Sequence, residues 1–345
     1  MQKDPRMLAT LSVSGTPFEV GQGLGLFGKA AVNDYLVKTP AWACVMQWRN
    51  TERASELQGL TREFFPEIWE EIEGLAQGLG LPADDVFLWN CRGDLWAMAP
   101  DGCTTVMSAG SQGLRITHNE DGDPGLAGRC AVASVQPQGQ PAFASFVYPG
   151  SIPGHTFAVT QSGLAVTVNN IRWLDARLGV PRMVLMRALL ATDGVARAVQ
   201  LLRETPRAGG FHLAIADSGS QRLASVEFGP HVCSVVDVQG VQVHANHAIH
   251  PKARNLPQVI TGSSGFRQIR AEQLAAQGHL EPRAVLADTG SERYPIYRCD
   301  PADPDNENTL GNVDIRIRDG AIEWEVRVHP GQEACLRFRN TAPVL

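Results

Sequence analysis

The character of this chain changes at a glycine–cysteine step. Before Asp101-Gly102-Cys103-Thr104-Thr105 the sequence reads mostly as helices; after it come short apolar runs punctuated by Gly, Pro and Asn. In the first half, Phe64, Ile68, Ile72, Leu75 and Leu79 recur at helical spacing, which predicts one helix over 61–79. Glu67, Glu70, Glu71 and Glu73 crowd its other side and read as a solvated face. Gly80-Leu81-Pro82 stops that helix, and the next runs through Val86, Leu88, Trp89 and Cys91. An edge strand is expected over 7–13. Gly21-Gln22-Gly23-Leu24-Gly25 lacks the Gly-Lys-Ser/Thr ending of a phosphate loop, so it reads as a flexible lead-in to a helix over 26–37.

From Cys103 onward a strand is expected through Met107 and a second over 114–117, running into His118-Asn119-Glu120-Asp121. A hairpin closed over 109–113 would return Asp121 to the start of the first strand. Further strands are predicted over 142–147, 156–160, 164–168, 212–216, 223–228, 233–238, 241–243, 313–317, 322–328 and 335–338. Helices are predicted over 181–192, 195–203, 263–277 and 282–288, with a polar loop over 300–308. Helices kept apart from antiparallel strands point to an α+β layered architecture rather than a parallel βαβ fold. No internal repeat or low-complexity linker divides the chain, so residues 1–345 read as a single domain.

Composition narrows the class. Hydrophobic residues at 43% against 19% charged support a sizeable core and argue against general disorder. A net charge of -6 with no basic run makes nucleic acid a poor partner. Seven cysteines without a CxxC spacing fit neither a disulfide framework nor a cysteine zinc site. Residues 1–6 hold no apolar signal core and no apolar run approaches roughly 18 residues, so a cytoplasmic location away from membranes is expected.

Chemistry gathers at Cys103. A thiolate is a strong nucleophile but needs a base or a lowered pKa. A cysteine at a new chain terminus carries its own base, because an α-amine titrates near about 7.7–8.0. That requires the bond before Cys103 to break, and Gly102 presents a carbonyl with no side chain beside it. The thiol would attack that carbonyl to give a thioester, which water hydrolyses. Asparagines at strand ends can donate to the oxyanion, and Asn170 and Asn246 both sit at predicted strand ends. Asp121 is the candidate carboxylate to orient the new ammonium.

Trp89-Asn90-Cys91-Arg92, Asp101-Gly102-Cys103-Thr104-Thr105, Asn119-x-Asp121, Val168-Asn169-Asn170-Ile171 and His244-Ala245-Asn246-His247 together resemble the acyl-coenzyme A:6-aminopenicillanic acid acyltransferase family, a group of N-terminal nucleophile (Ntn) hydrolases. The resemblance runs in order from about Gly21 to Tyr294-Pro295. It implies a four-layer αββα sandwich of antiparallel sheets, made as an inactive precursor that cuts itself between Gly102 and Cys103. The products would be an α chain, 1–102, and a β chain, 103–345, which stay together. It further implies Cys103 as nucleophile and, through its amine, base. Asp121 would lie near that amine and Asn246 would serve the oxyanion hole, with Asn170 and Asn119 lining the pocket. An arginine near the nucleophile is also implied, and Arg298 is the nearest match. No cofactor or metal is implied. Gly122-Asp123-Pro124 stands where the β-lactam acyltransferase has aromatic residues, so a small-molecule amide other than a penicillin is expected, and hydrolysis is favoured over acyl transfer.

Two rival readings remain. His244-x-x-His247-x-x-His250 has metal-like spacing, but histidines three apart on a strand point to opposite faces. The alternative to an enzyme is an uncut binding protein with Cys103 buried. A homo-oligomer is compatible with the sequence.

Overall fold

The computed structural model describes residues 8–99, 102–277 and 281–344; Asp101 and Met7, the first residue of the expected 7–13 strand, lie outside them. Helices α1 (Pro17–Asp34), α2 (Pro40–Met46), α3 (Glu52–Phe64), α4 (Pro66–Leu79), α5 (Ala83–Asn90) and α6 (Arg92–Leu95) come first, after strand β1 (Ala9–Gly15). The hairpin β2 (Gly102–Gly110) and β3 (Gly113–Gly122) follows, then β4 (Ala131–Pro137), β5 (Phe143–Val147), β6 (Phe157–Thr160), β7 (Leu164–Asn170) and β8 (Arg172–Trp173). Next are α7 (Arg182–Leu189), α8 (Val195–Glu204), β9 (Phe211–Asp217), β10 (Arg222–Phe228), β11 (Cys233–Asp237), β12 (Gly240–His244) and β13 (Gln258–Val259). The chain closes with α9 (Gly262–Ala276), α10 (Pro282–Leu286), β14 (Asn308–Arg318), β15 (Ala321–Arg327), β16 (Leu336–Arg339) and β17 (Ala342–Pro343).

The strands form two large sheets, in the orders β1-β4-β5-β6-β7-β9-β10-β11 and β12-β2-β3-β14-β15-β16-β17. All neighbours within them are antiparallel except β1 and β4. Strand alternation sorts the side chains into three apolar layers. Ala131, Ala133, Val135, Val166 and Ile215 face the helices of the first half together with α7 and α8. Val132, Phe146, Phe157 and Ala165 face the second sheet, meeting Met107, Ile116, Ile315 and Trp324. On the far side, Val106 and Val243 pack under Ala271 and Leu274 of α9 and Leu286 of α10. The result is the expected αββα sandwich.

Three local expectations are corrected. The helix predicted over 61–79 is two helices, because Pro66 disfavours helical backbone at Phe65, which sits at φ -142°, ψ 64°. Glu71 is not on a solvated face: it is fully buried and paired with Arg187 at 2.9 Å. Gly21 to Gly25 is no flexible lead-in but lies inside α1. A Cβ at Gly21 or Gly25 would strike the α4 backbone at Glu71 or Leu75, and one at Gly74 or Gly78 would strike α1 at Phe18 or Gln22. The glycines let the two helices touch backbone to backbone. Replacing Gly74 by Val is therefore expected to destabilise the fold by at least about 1–3 kcal/mol, read as a lower urea midpoint; an unchanged midpoint would contradict this packing.

Candidate active site

Cys103 is the second residue of β2, on the face turned towards the other sheet, and is buried. Strand β12 pairs with β2 so that His244 lies opposite Thr105, which carries the next residues of the chain past Cys103. Asn246 arrives there: its Oδ1 accepts from the Cys103 backbone N–H at 2.9 Å. Its Nδ2 donates to the carbonyl of Asn170, the last residue of β7, at 3.2 Å, which joins the two sheets at the site. Asn170 Oδ1 in turn accepts from Arg182 at 2.7 Å.

Arg267 on α9 ties this cluster together. It is buried, and its Nη1 donates to the Cys103 carbonyl at 2.5 Å and to Thr104 Oγ1 at 2.7 Å. Its Nη2 donates to Asn246 Oδ1 at 2.6 Å, and Ser263 accepts from its Nε. Burial lowers the Arg267 pKa and the nearby Asp121 carboxyl opposes that. With Arg267 and Cys103 both donating to Oδ1, the Asn246 amide has one orientation.

Gly102 lies against a second charged group. A Cβ there would collide with Glu307 and come 3.1 Å from Arg298 Nη1. Arg298 donates to Glu307 at 2.6 Å and to Asp303 at 2.9 Å, and Arg172 reaches Glu307 at 3.1 Å. The polar loop over 300–308 is thus wrapped around Arg298. Asp121 is the register partner of Gly102 and faces the α9 side. Its Oδ1 accepts from Thr309 at 2.7 Å, while its buried Oδ2 has no hydrogen-bond partner among the described residues. Burial raises the Asp121 pKa, against the pull of Arg267 and Arg298.

Cys103, Asn246 and Asn170 are therefore linked by hydrogen bonds, and Gly102, Asp121 and Arg298 gather on the side of the preceding bond. Asn119 stands apart. Its side chain donates to Leu286 O at 2.9 Å and accepts from Asn312, tying β3 to α10.

The sequence reading passed over Glu120 and His118, which alternation puts on the Cys103 face. Cys103 and Glu120 are register partners, and Sγ lies 3.7 Å from Glu120 Oε2. Tyr148 donates to the other oxygen at 2.9 Å, and His118 Nε2 is 3.1 Å from Oε2. Counting rungs back from the Ser111-Gln112 turn would have found them. Among the described residues, Cys103, His118 and Glu120 also form the group whose potential ligand atoms come within 4.8 Å of one another, close enough to hold a metal ion. The spaced histidines have other partners: His244 binds Glu227 at 2.9 Å, His247 binds Ser264 at 2.8 Å and His250 binds Ser225 at 2.9 Å.

A cavity of about 20 Å³ is lined by Trp89, Arg92, Gly122, Asp123 and Tyr148, the last of which also donates to Glu120. A larger one of about 430 Å³, around Val241, His250 and Glu272, does not include Cys103. Neither cavity is lined by Cys103; the smaller one touches its surroundings through Tyr148, which donates to Glu120.

Residues 108–327 match the model of a family described as acyl-coenzyme A:6-aminopenicillanic acid acyl-transferase, and that span is well over half of the chain. The chain belongs to this family. Its similar relatives include a beta-alanyl-dopamine/carcinine hydrolase of Drosophila melanogaster, 26% identical over 220 residues, which are 56% of this chain and 57% of the relative. The chain thus spans little more than half of that hydrolase. The 40 kDa form of an acyl-coenzyme A:6-aminopenicillanic-acid-acyltransferase of Emericella nidulans is 25% identical over 309 residues, 84% of each chain. Hydrolases and acyltransferases thus both occur in the family. No described helix is long and apolar enough to cross a membrane.

The buried histidines of this family member make its stability pH-dependent. Burial depresses His212, His247 (to about 4) and His250 below the usual imidazole range. Their pKa values are low in the folded chain and near about 6.5 in the unfolded one, so between those values the unfolded chain binds more protons and stability falls as pH drops. Each histidine adds up to about 1.4 kcal/mol per pH unit within its window. Buried carboxyls such as Asp94, raised to about 6, act in the opposite direction, so the histidine share is read by difference: the urea midpoint should fall less between about pH 6.5 and pH 4.5 in His247→Gln than in the wild type; equal falls would refute this.

Proposed function

We propose that the chain is a self-cleaving N-terminal cysteine amidohydrolase that splits a small, non-peptide, linear amide through a thioester on Cys103. The observation that carries this reading is the grip on the cysteine backbone. Asn246 and Arg267 hold its N–H and carbonyl, while Gly102 presents a carbonyl with no room for a side chain beside it. The thiol attacks Gly102, the peptide nitrogen leaves, and water releases residues 1–102 from residues 103–345. One core spans both pieces, since α1 and α4 pack with strands β4 to β10, so the pieces stay together.

After the cut the Cys103 amine takes the thiol proton in each turnover, with Asp121, whose Oδ2 has no other partner among the described residues, available to hold the ammonium. Asn246, bonded to the Cys103 N–H, and Asn170, bonded to Asn246, are the amides this reading assigns to the oxyanion.

Acyl transfer to an amine in place of water is the second reading, favoured by the acyltransferase among the relatives. Both routes share the thioester. The test is a library of small amides incubated with the purified protein and followed by mass. An acyl group on Cys103 supports the reading, and product analysis with a competing amine separates hydrolysis from transfer. A single intact chain with no acyl adduct from any amide would instead favour the uncut binding protein.

A further inference from the structure

The hydrogen bonds behind Cys103 have a fixed direction, set by one backbone carbonyl. His244 O can only accept, so Asn169 turns its Nδ2 to it at 3.0 Å and presents Oδ1 to Thr105. Thr105 Oγ1, 2.6 Å away, gives Asn169 its single proton. It is then left to accept from His118 Nδ1 at 2.8 Å. Neutral His118 therefore carries its proton on Nδ1 and turns the Nε2 lone pair to Glu120 Oε2 at 3.1 Å. Two lone pairs at that distance repel, so the contact holds only with one proton between them. Glu120 Oε2 is also the oxygen 3.7 Å from Cys103 Sγ.

This arrangement answers a need of the uncut chain. An α-amine exists only after cleavage; before it, the Cys103 nitrogen is an amide that donates to Asn246. The first attack on Gly102 thus requires a different base. We propose that Glu120, backed by His118, is the base that activates the Cys103 thiol for self-cleavage; this rests on the self-cleavage reading above. The thiol proton moves to Glu120 Oε2, so that the Glu120–His118 pair holds it together with the proton already between Oε2 and Nε2. The sulfur bonds to the Gly102 carbonyl carbon and the bond from that carbon to the Cys103 nitrogen breaks. The extra proton held by the pair passes to the departing nitrogen, which becomes the amine. The pair keeps its original proton, and water splits the thioester into a Gly102 carboxylate and the free thiol.

The test follows cleavage of the full chain made by cell-free translation, with time points on a gel. Glu120→Gln keeps the size and the Tyr148 contact but cannot take up the thiol proton, and is expected to slow cleavage by about 100-fold or more. His118→Gln can still accept from Glu120 but cannot hold a full proton, and is expected to slow it as well. Glu120→Asp should recover part of the rate. Either glutamine variant cutting at the wild-type rate overturns the relay. So does slow cutting that comes with a large drop in Tm and no recovery in Glu120→Asp, which would assign the pair a structural role. A wild-type chain that never cuts would overturn the self-cleavage reading itself.

Discussion

Cys103→Ala is expected to yield one uncut chain of 345 residues with no amide turnover. The argument is chemical. Without sulfur there is no atom to bond to the Gly102 carbonyl, and without the cut there is no amine at residue 103. One substitution thus removes nucleophile and base together, and turnover should fall by at least about 10⁴-fold. The fold should survive, because Cys103 is a small buried side chain at the end of a strand whose pairing is made by the backbone. Intact mass before and after incubation checks the cut. Two fragments from the alanine variant would mean that an external protease makes the break, and the self-processing idea would fail.

Arg267→Met should have the next largest effect. The side chain is buried and donates to Cys103 O, Thr104, Asn246 and Ser263 at once. Methionine fills similar volume but supplies no donors. The Cys103 carbonyl and Asn246 Oδ1 would then lose a charged partner, and Asp121 would lose one of the cations that oppose the effect of its burial. Breaking such buried charged contacts typically destabilises by about 3–5 kcal/mol. Cleavage should slow by about 100-fold, since Asn246 is no longer held against the cysteine amide. Arg267→Lys restores a charge but not the forked geometry and should recover stability better than rate. A methionine variant with the wild-type denaturation midpoint and cleavage rate would show that the guanidinium is a bystander.

Local pattern made much of this legible. The Gly102-Cys103 boundary, the hairpin that returns Asp121 and the segregation of helices from strands follow from alternation and turn residues, which are short-range. Asn246 stands out by its place at a predicted strand end as well as by the motif around it, and the structure brings it to the Cys103 N–H. What escaped depends on contacts distant in sequence. Arg267 looks like one more polar residue of an amphipathic helix, and its role exists only because α9 lies over β2. Glu71 sits among surface-like glutamates until Arg187, 116 residues later, meets it in the core. The α1 glycines resemble a loop because their use, contact with a second helix, is invisible without that helix. Strand β4, the parallel neighbour of β1, was passed over because its apolar residues face both a helix layer and a sheet and so do not alternate.

The β2–β3 hairpin closes at Gly110 opposite Gly113 and runs unbroken to Gly102 opposite Asp121. It therefore works as a ruler. The two residues of its turn, at the end of the ribbon remote from the cysteine, decide which side chains of β3 stand beside Cys103. Adding or deleting one residue at Ser111-Gln112 and sliding β3 past β2 would swap the two faces of the strand along its whole length. Glu120 and His118 would move under α9 and α10, and Asn119 and Asp121 would move between the sheets. The length of this turn is thus as much a part of the site as any residue that touches the sulfur, and tolerance of insertions there is a sensitive reporter of how tightly the register is held.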